Sequence, residues 1–270
     1  LAVVARRTDD VDVWAGSLAT TACATLTGTV PVVTVKGSTK AFIDNATINP
    51  DDNDGDVTND PVAAQDVLVR AYDLSEVDMF GGAFQGVSLV GVQGTSNTVV
   101  MSGAIEACIK NATVNAKDDV EVLTQSKERV AAEAVSGGVV SAVSLAGAVV
   151  VVNTTVTNKA YIETSTVVSE GDLAVTATDE ARLGYEANGD QHSLTAGVGS
   201  AMSLLSLGGS VLVSNVGSTT SAYILDSTVD GRGITGIMID VSDLPGTPTP
   251  GDFELWMAEG GGWIPAPEPV

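Results

Sequence analysis

The sequence predicts an all-β fold in which one unit stacks repeatedly on itself, a β-solenoid, followed by a Pro/Gly-rich C-terminal tail. Three observations predict it. A nine-residue phrase occurs four times with one polarity pattern: KAFIDNATI at 40–48, EACIKNATV at 106–114, KAYIETSTV at 159–167 and SAYILDSTV at 221–229. A second phrase, beginning at Asp66, Asp119 and Asp172, follows three of them, and the pair of phrases repeats every 53 residues. A period of that size marks stacked units. The third observation is local: Val, Ile and Thr alternate between Gly, Asn and Asp punctuation, which is the strand signature.

Residues 1–40 alternate in Leu1, Val3 and Ala5, then in Val11 and Val13, then from Val30 to Val35. The segment KERVAAEA at 127–134 comes nearest to a helix, but its register partners at 8–15 and 74–81 alternate like strands, and register outranks local propensity. Within the first phrase, Ala41, Ala107, Ala160 and Ala222 align, as do Ile43, Ile109, Ile162 and Ile224. Two residues apart on a strand, they point inward together.

A polar turn follows, in which Asn45 and Asn111 suit a left-handed backbone. Beyond it Ile48, Val114, Val167 and Val229 point inward again, and Thr47, Thr113, Thr166 and Thr228 form an outward column. Gly28, Gly94, Gly147 and Gly209 align, which predicts a corner or a close backbone contact. One period is expected to make about three coils of roughly 18 residues, or else two longer ones, and some 12 of the shorter coils a rod of about 60 Å.

Two departures from the period mark insertions, of about 13 residues near 49–63 and about nine near 186–194; insertions in stacked units map to loops. At Leu244 the composition changes. LPGTPTPG at 244–251 reads as a semi-rigid linker, so residues 1–244 form the repeat body and 245–270 a tail. Phe253, Leu255, Trp256, Met257 and Trp263 give that tail its bulk. They either cover the end of the stack or form a strand that pairs with a neighbouring subunit.

Aromatic residues make up 4% of the chain and hydrophobic ones 44%, so Val, Ile, Leu and Ala must fill the core. Thirty-four acidic against 12 basic residues give a net charge of −22, which argues against a nucleic-acid partner. Residues 134–158 carry no charge over 25 positions, but the register partner at 81–105 is too polar to span a membrane. Cys23 and Cys108 lie at different positions of the period and make no disulfide framework. Cys108 takes the slot of Phe42, Tyr161 and Tyr223, which predicts packing.

The loop DDNDGD offers Asp51, Asp52, Asp54 and Asp56 as ligands for a hard cation, Ca²⁺ being the candidate cofactor, although its spacing departs from the EF-hand pattern. Asp9-Asp10 and Asp118-Asp119 are adjacent acids of the sort that sugar-cleaving enzymes pair. The solitary His192 reads as a loop residue. No phosphate loop, zinc spacing or nucleophile elbow is present.

The cadence AYI-x-x-STV-x-x-GD-x-x-V-x-A, preceded by a Gly/Ala/Val-rich stretch ending in Asn-x-x-Thr, resembles the repeats of very large secreted bacterial adhesins of the filamentous haemagglutinin and autotransporter type, over about residues 1–240. The resemblance implies a right-handed parallel β-helix shaft, secreted or at the cell surface, and brings no catalytic residues. The expected function is a non-catalytic structural or adhesive scaffold, a segment of a larger protein that self-associates or meets a glycan or cell-surface receptor. A carbohydrate-active β-helix enzyme and a calcium-dependent surface-layer component are the alternatives.

Overall fold

The computed structural model describes residues 1–49, 65–184, 195–231, 234–239, 256–259 and 262–265. The chain divides into two compact units, Leu1–Asp240 and Val241–Val270. The described residues are all-β, and parallel pairing dominates the first unit.

Its strands fall into four layers. The first holds β1 (Ala2–Ala19), β2 (Ala24–Thr29), β3 (Val32–Asp44) and β4 (Thr47–Ile48); the second holds β5 (Val67–Lys110) and β6 (Thr113–Ala116). The third repeats the second with β7 (Val120–Glu163) and β8 (Thr166–Ser169). The fourth holds β9 (Leu173–Leu183), β10 (Thr195–Leu225) and β11 (Thr228–Gly231), and β12 (Ile234–Ile239) then pairs with β9. In the second unit β13 (Trp256–Glu259) and β14 (Gly262–Pro265) form an antiparallel hairpin.

The register corrects the expected coil size. Val67 pairs with Val120 and Lys110 with Glu163, so adjacent layers are offset by 53 residues and a whole period makes one layer. An 18-residue coil would have paired Val67 with a residue near 85. The offset between β3 and β5 is 66, as in Ile43 with Ile109, and that between β10 and β7 is 62, as in Tyr223 with Tyr161. The surplus of 13 and nine residues falls in segments that include 50–64 and 185–194, outside the described residues.

Fully extended, the 44 residues of β5 would reach roughly 150 Å. They do not run straight. Val69 and Ile105 belong to one core cluster, and Val77, Met79, Val99 and Met101 to another, so each long strand doubles back into two facing arms. The reversal lies among residues 81–94, where the burial alternation breaks at 81–83 and 89–90 but no polar turn marks it, and for this reason the sequence pattern hides it. The short strands β4, β6, β8 and β11 form a separate sheet.

Expected inward residues are inward. Ala107, Ile109, Val114, Ala160, Ile162 and Val167 are fully buried in one cluster; each large aliphatic side chain so covered contributes about 1.5–3 kcal/mol. The Thr47, Thr113, Thr166 and Thr228 column pairs residue on residue and is exposed throughout. Corners fall at the polar turn: Asn45, Asn111, Thr164 and Asp226 have φ of 52°, 49°, 51° and 48°. Asn and Asp tolerate that region, but β-branched Thr164 does so at a cost.

The aligned glycines are not corners. A Cβ on Gly94 or Gly209 would meet nothing within 4 Å, and one on Gly28 or Gly147 would make only ordinary contact.

Candidate functional site

Extending the inward parity from Val67 along β5 passes Val69 and Ala71, then reaches Asp73 and Ser75 before Val77 and Met79. On β7 the same parity passes Thr124, Ser126 and Glu128. The two arms therefore enclose a band of polar side chains between two apolar clusters. Arg7, Asp73, Ser126 and Asp179 form one column, and Asp9, Ser75 and Glu128 the next.

Most of these groups satisfy one another. Asp73 accepts hydrogen bonds from Arg7 Nη1 at 3.3 Å, Thr39 Oγ1 at 3.2 Å and Ser75 Oγ at 3.0 Å. Ser126 Oγ donates to Asp179 Oδ1 at 2.5 Å, and Asn158 Nδ2 donates to the Thr178 carbonyl at 2.5 Å. Glu128 Oε2 and Asp179 Oδ2 are buried without such partners. Burial, and then the charge of Asp179, push the Glu128 carboxyl up to about 9. Glu128 is accordingly protonated at neutral pH. A void of about 10 Å³ lined by Arg7, Asp73, Ser75 and Glu128 has room for about one water, so the band can store a proton but admits no sugar.

A second cluster lies on the outer surface of the recurring phrase. Phe42, Cys108, Tyr161 and Tyr223 stack in register. Because Cys108 is the small member, it leaves a notch of about 190 Å³ flanked by Lys40, Glu106 and Lys110. Tyr161 reaches over it and donates to Glu106 Oε1 at 2.6 Å, while Lys40 Nζ meets Glu106 Oε2 at 2.5 Å. Burial opposes ionisation of Glu106, but the hydrogen bonds from Lys40 and Tyr161 outweigh it and hold the carboxyl below its usual range. Burial pushes the Cys108 thiol up, so it is a packing thiol with little thiolate character. Cys23 is exposed, and both cysteines are free.

The third cluster is acidic. Asp66, Asp118 and Asp119 bring three carboxylates within 4.8 Å of one another at the turn before the Val-x-Val strands. The neighbouring Asp119 charge raises the Asp118 carboxyl. Among the described residues this is the group whose spacing could hold a cation.

The expected ligands Asp51, Asp52, Asp54 and Asp56 lie outside the described residues, as do His192, Phe253 and Leu255. Trp256 and Met257 fall on β13 and Trp263 on β14, where Trp263 pairs with Ala258 and Met257 with Ile264. Asp9 and Asp10 are neighbours on one strand, with Asp9 pairing with Arg7 and Asp10 facing outward, so they do not form a carboxylate pair. The polar band was missed in the sequence, although inward parity carried from Val67 would have found it.

Among the described residues no helix is long and apolar enough to cross a membrane. Compared with known proteins, the chain matches no family model, no curated protein and no solved structure.

Proposed function

We propose that this chain is a right-handed parallel β-helix segment of a large secreted bacterial surface protein of the filamentous haemagglutinin and autotransporter type, and that it serves as a non-catalytic structural or adhesive scaffold. The observation that carries this reading is the residue-on-residue match between layers. From Val67 to Lys110 nearly every position meets its equivalent 53 residues later. Several charged side chains bridge the stack: Lys40 bonds Glu106, Lys110 bonds Glu163 at 3.0 Å, and Lys117 bonds Glu170 at 2.5 Å, each one layer apart. Function invested in layer-to-layer adhesion suits a shaft that displays or joins other modules.

Electron microscopy of the native material tests the reading. Filaments or an ordered surface array, with no turnover of acidic polysaccharides by the purified chain, are expected. Polysaccharide cleavage that survives purification would replace the scaffold with the carbohydrate-active alternative.

A further inference from the structure

The far end of the two middle layers is built inside out. On β5 the buried side chains around the reversal are Gln85 and Gln93, 0% and 2% exposed, whereas Val87 and Leu89 are 59% and 58% exposed. The next layer repeats the inversion: Ser136, Ser141 and Ser144 are buried, while Val140 and Val143 are 38% and 40% exposed. Leu205, in register with Val143, and Leu207, in register with Leu145, extend the exposed apolar rows.

The polar interior is bonded to itself. Gln93 donates to Gln85, Gln85 to Ser88, Ser144 to Gln93 at 3.4 Å, and Ser136 to the Gly147 carbonyl at 3.0 Å. No charged residue occurs in 13–35, 79–105, 134–158 or 195–225, stretches that include this end in the four layers.

We propose that this edge inserts into the hydrocarbon of a neutral lipid bilayer. In water, polar-in and apolar-out forgoes hydrophobic stabilisation, and exposed apolar rows of this extent mark an interaction surface. The arrangement of an apolar exterior over a polar interior that is bonded to itself, with Ser141 Oγ the buried exception among the groups just named, is the one that hydrocarbon favours.

Shape selects lipid over a second protein. The apolar surface wraps an edge, with Leu18 and Phe84 on the outgoing arm and Leu145 and Leu207 on the returning one. A fluid phase covers both flanks of a ridge, whereas a rigid partner covers one. Protein interfaces also carry a polar rim, which this edge lacks in charge. In the middle two layers the strands pair on both sides as far as Gln85 and again from Val90, and across the gap the Leu89 and Val90 amides donate to the Cys23 carbonyl.

Charge selects the lipid. The net charge of −22 resides entirely outside these stretches, and none of them contributes a Lys or Arg to attract anionic headgroups. The fit is therefore to a zwitterionic surface, and attachment is apolar rather than electrostatic.

The test uses the full chain and phosphatidylcholine vesicles. Co-flotation is expected, unchanged by added salt and weakened when phosphatidylserine is included. The double variant Val140→Asp/Val143→Asp should lower the floated fraction by about tenfold or more, while Thr113→Asp/Thr166→Asp, on the outward threonine column, should float like the parent. A second readout needs no variant: an environment-sensitive fluorophore on the exposed Cys23 thiol, whose carbonyl accepts from Leu89 and Val90 at the edge, should brighten with vesicles and be quenched by spin-labelled acyl chains. Absence of flotation, binding that salt abolishes, binding that the Asp pair leaves intact, or a dark Cys23 probe would each overturn the proposal. Self-association in place of vesicle binding, lost in the Asp pair, would assign the edge to a second copy.

Discussion

Tyr161 lies flat on Tyr223, ring centroids 5.1 Å apart and planes 6° from parallel, while its hydroxyl bonds the Glu106 carboxylate of the layer on the other side. One side chain thus ties three successive layers, by stacking in one direction and by a charge-assisted hydrogen bond in the other. Tyr161→Phe keeps the stack and removes the bond, and should cost about 1–2 kcal/mol in denaturant unfolding. Tyr161→Ala removes both and should cost about 3 kcal/mol or more.

Glu128 should make stability fall as pH rises. Its folded pKa of about 9 lies above the ordinary value of 4.5, so between those values the folded state holds a proton that the unfolded state has released. The cost is absent below pH 4.5, grows through neutrality and is complete above about 9. Glu128→Gln keeps the shape and removes the titration. Its thermal midpoint should exceed the parent's by several degrees at pH 8 and match it near pH 4; equal differences at both values would contradict the assignment.

The corner at Thr164 stores strain that its counterparts avoid. With φ at 51°, a β-branched residue occupies a region that glycine enters freely. Thr164→Gly should raise stability by about 1 kcal/mol, and Thr164→Asn by somewhat less. At the equivalent Asn111, substitution by Val should lower stability by a similar amount. Chemical denaturation of the three variants measures all of these differences.

Asp118 is held among like charges. Asp118→Asn should raise the thermal midpoint in dilute buffer, and the gain should vanish in high salt because the group is half-buried at most, beside exposed Asp66 and Asp119, and is reached by screening ions. A salt-independent gain would point to a role other than repulsion.

The columns that the repeated phrase defines were readable because a strand's two-residue period leaves no ambiguity: Ala107 and Ile109 had to share a side. The turn at Asn111 was readable from its chemistry. The size of a layer was not. The reversal near Val87 uses no Gly-Asn or Pro-Gly turn, and the glycine column at Gly94 sits on an open outer surface, so punctuation pointed to corners that are not there. The polar band around Glu128 escaped because Asp and Glu at inward parity look, residue by residue, like solvent-facing positions. Only their register with Val69 and Val122 exposes them.

Since one period of 53 residues makes one layer, the chain advances along its stacking direction by only about 4.8 Å for each period spent. Gain or loss of a period would change that dimension by the thickness of a single backbone. The depth of the layers, set in the middle two by strands of 44 residues, would be inherited unchanged. Such a body can be lengthened in very fine steps without redesign of either its charged base or its apolar edge.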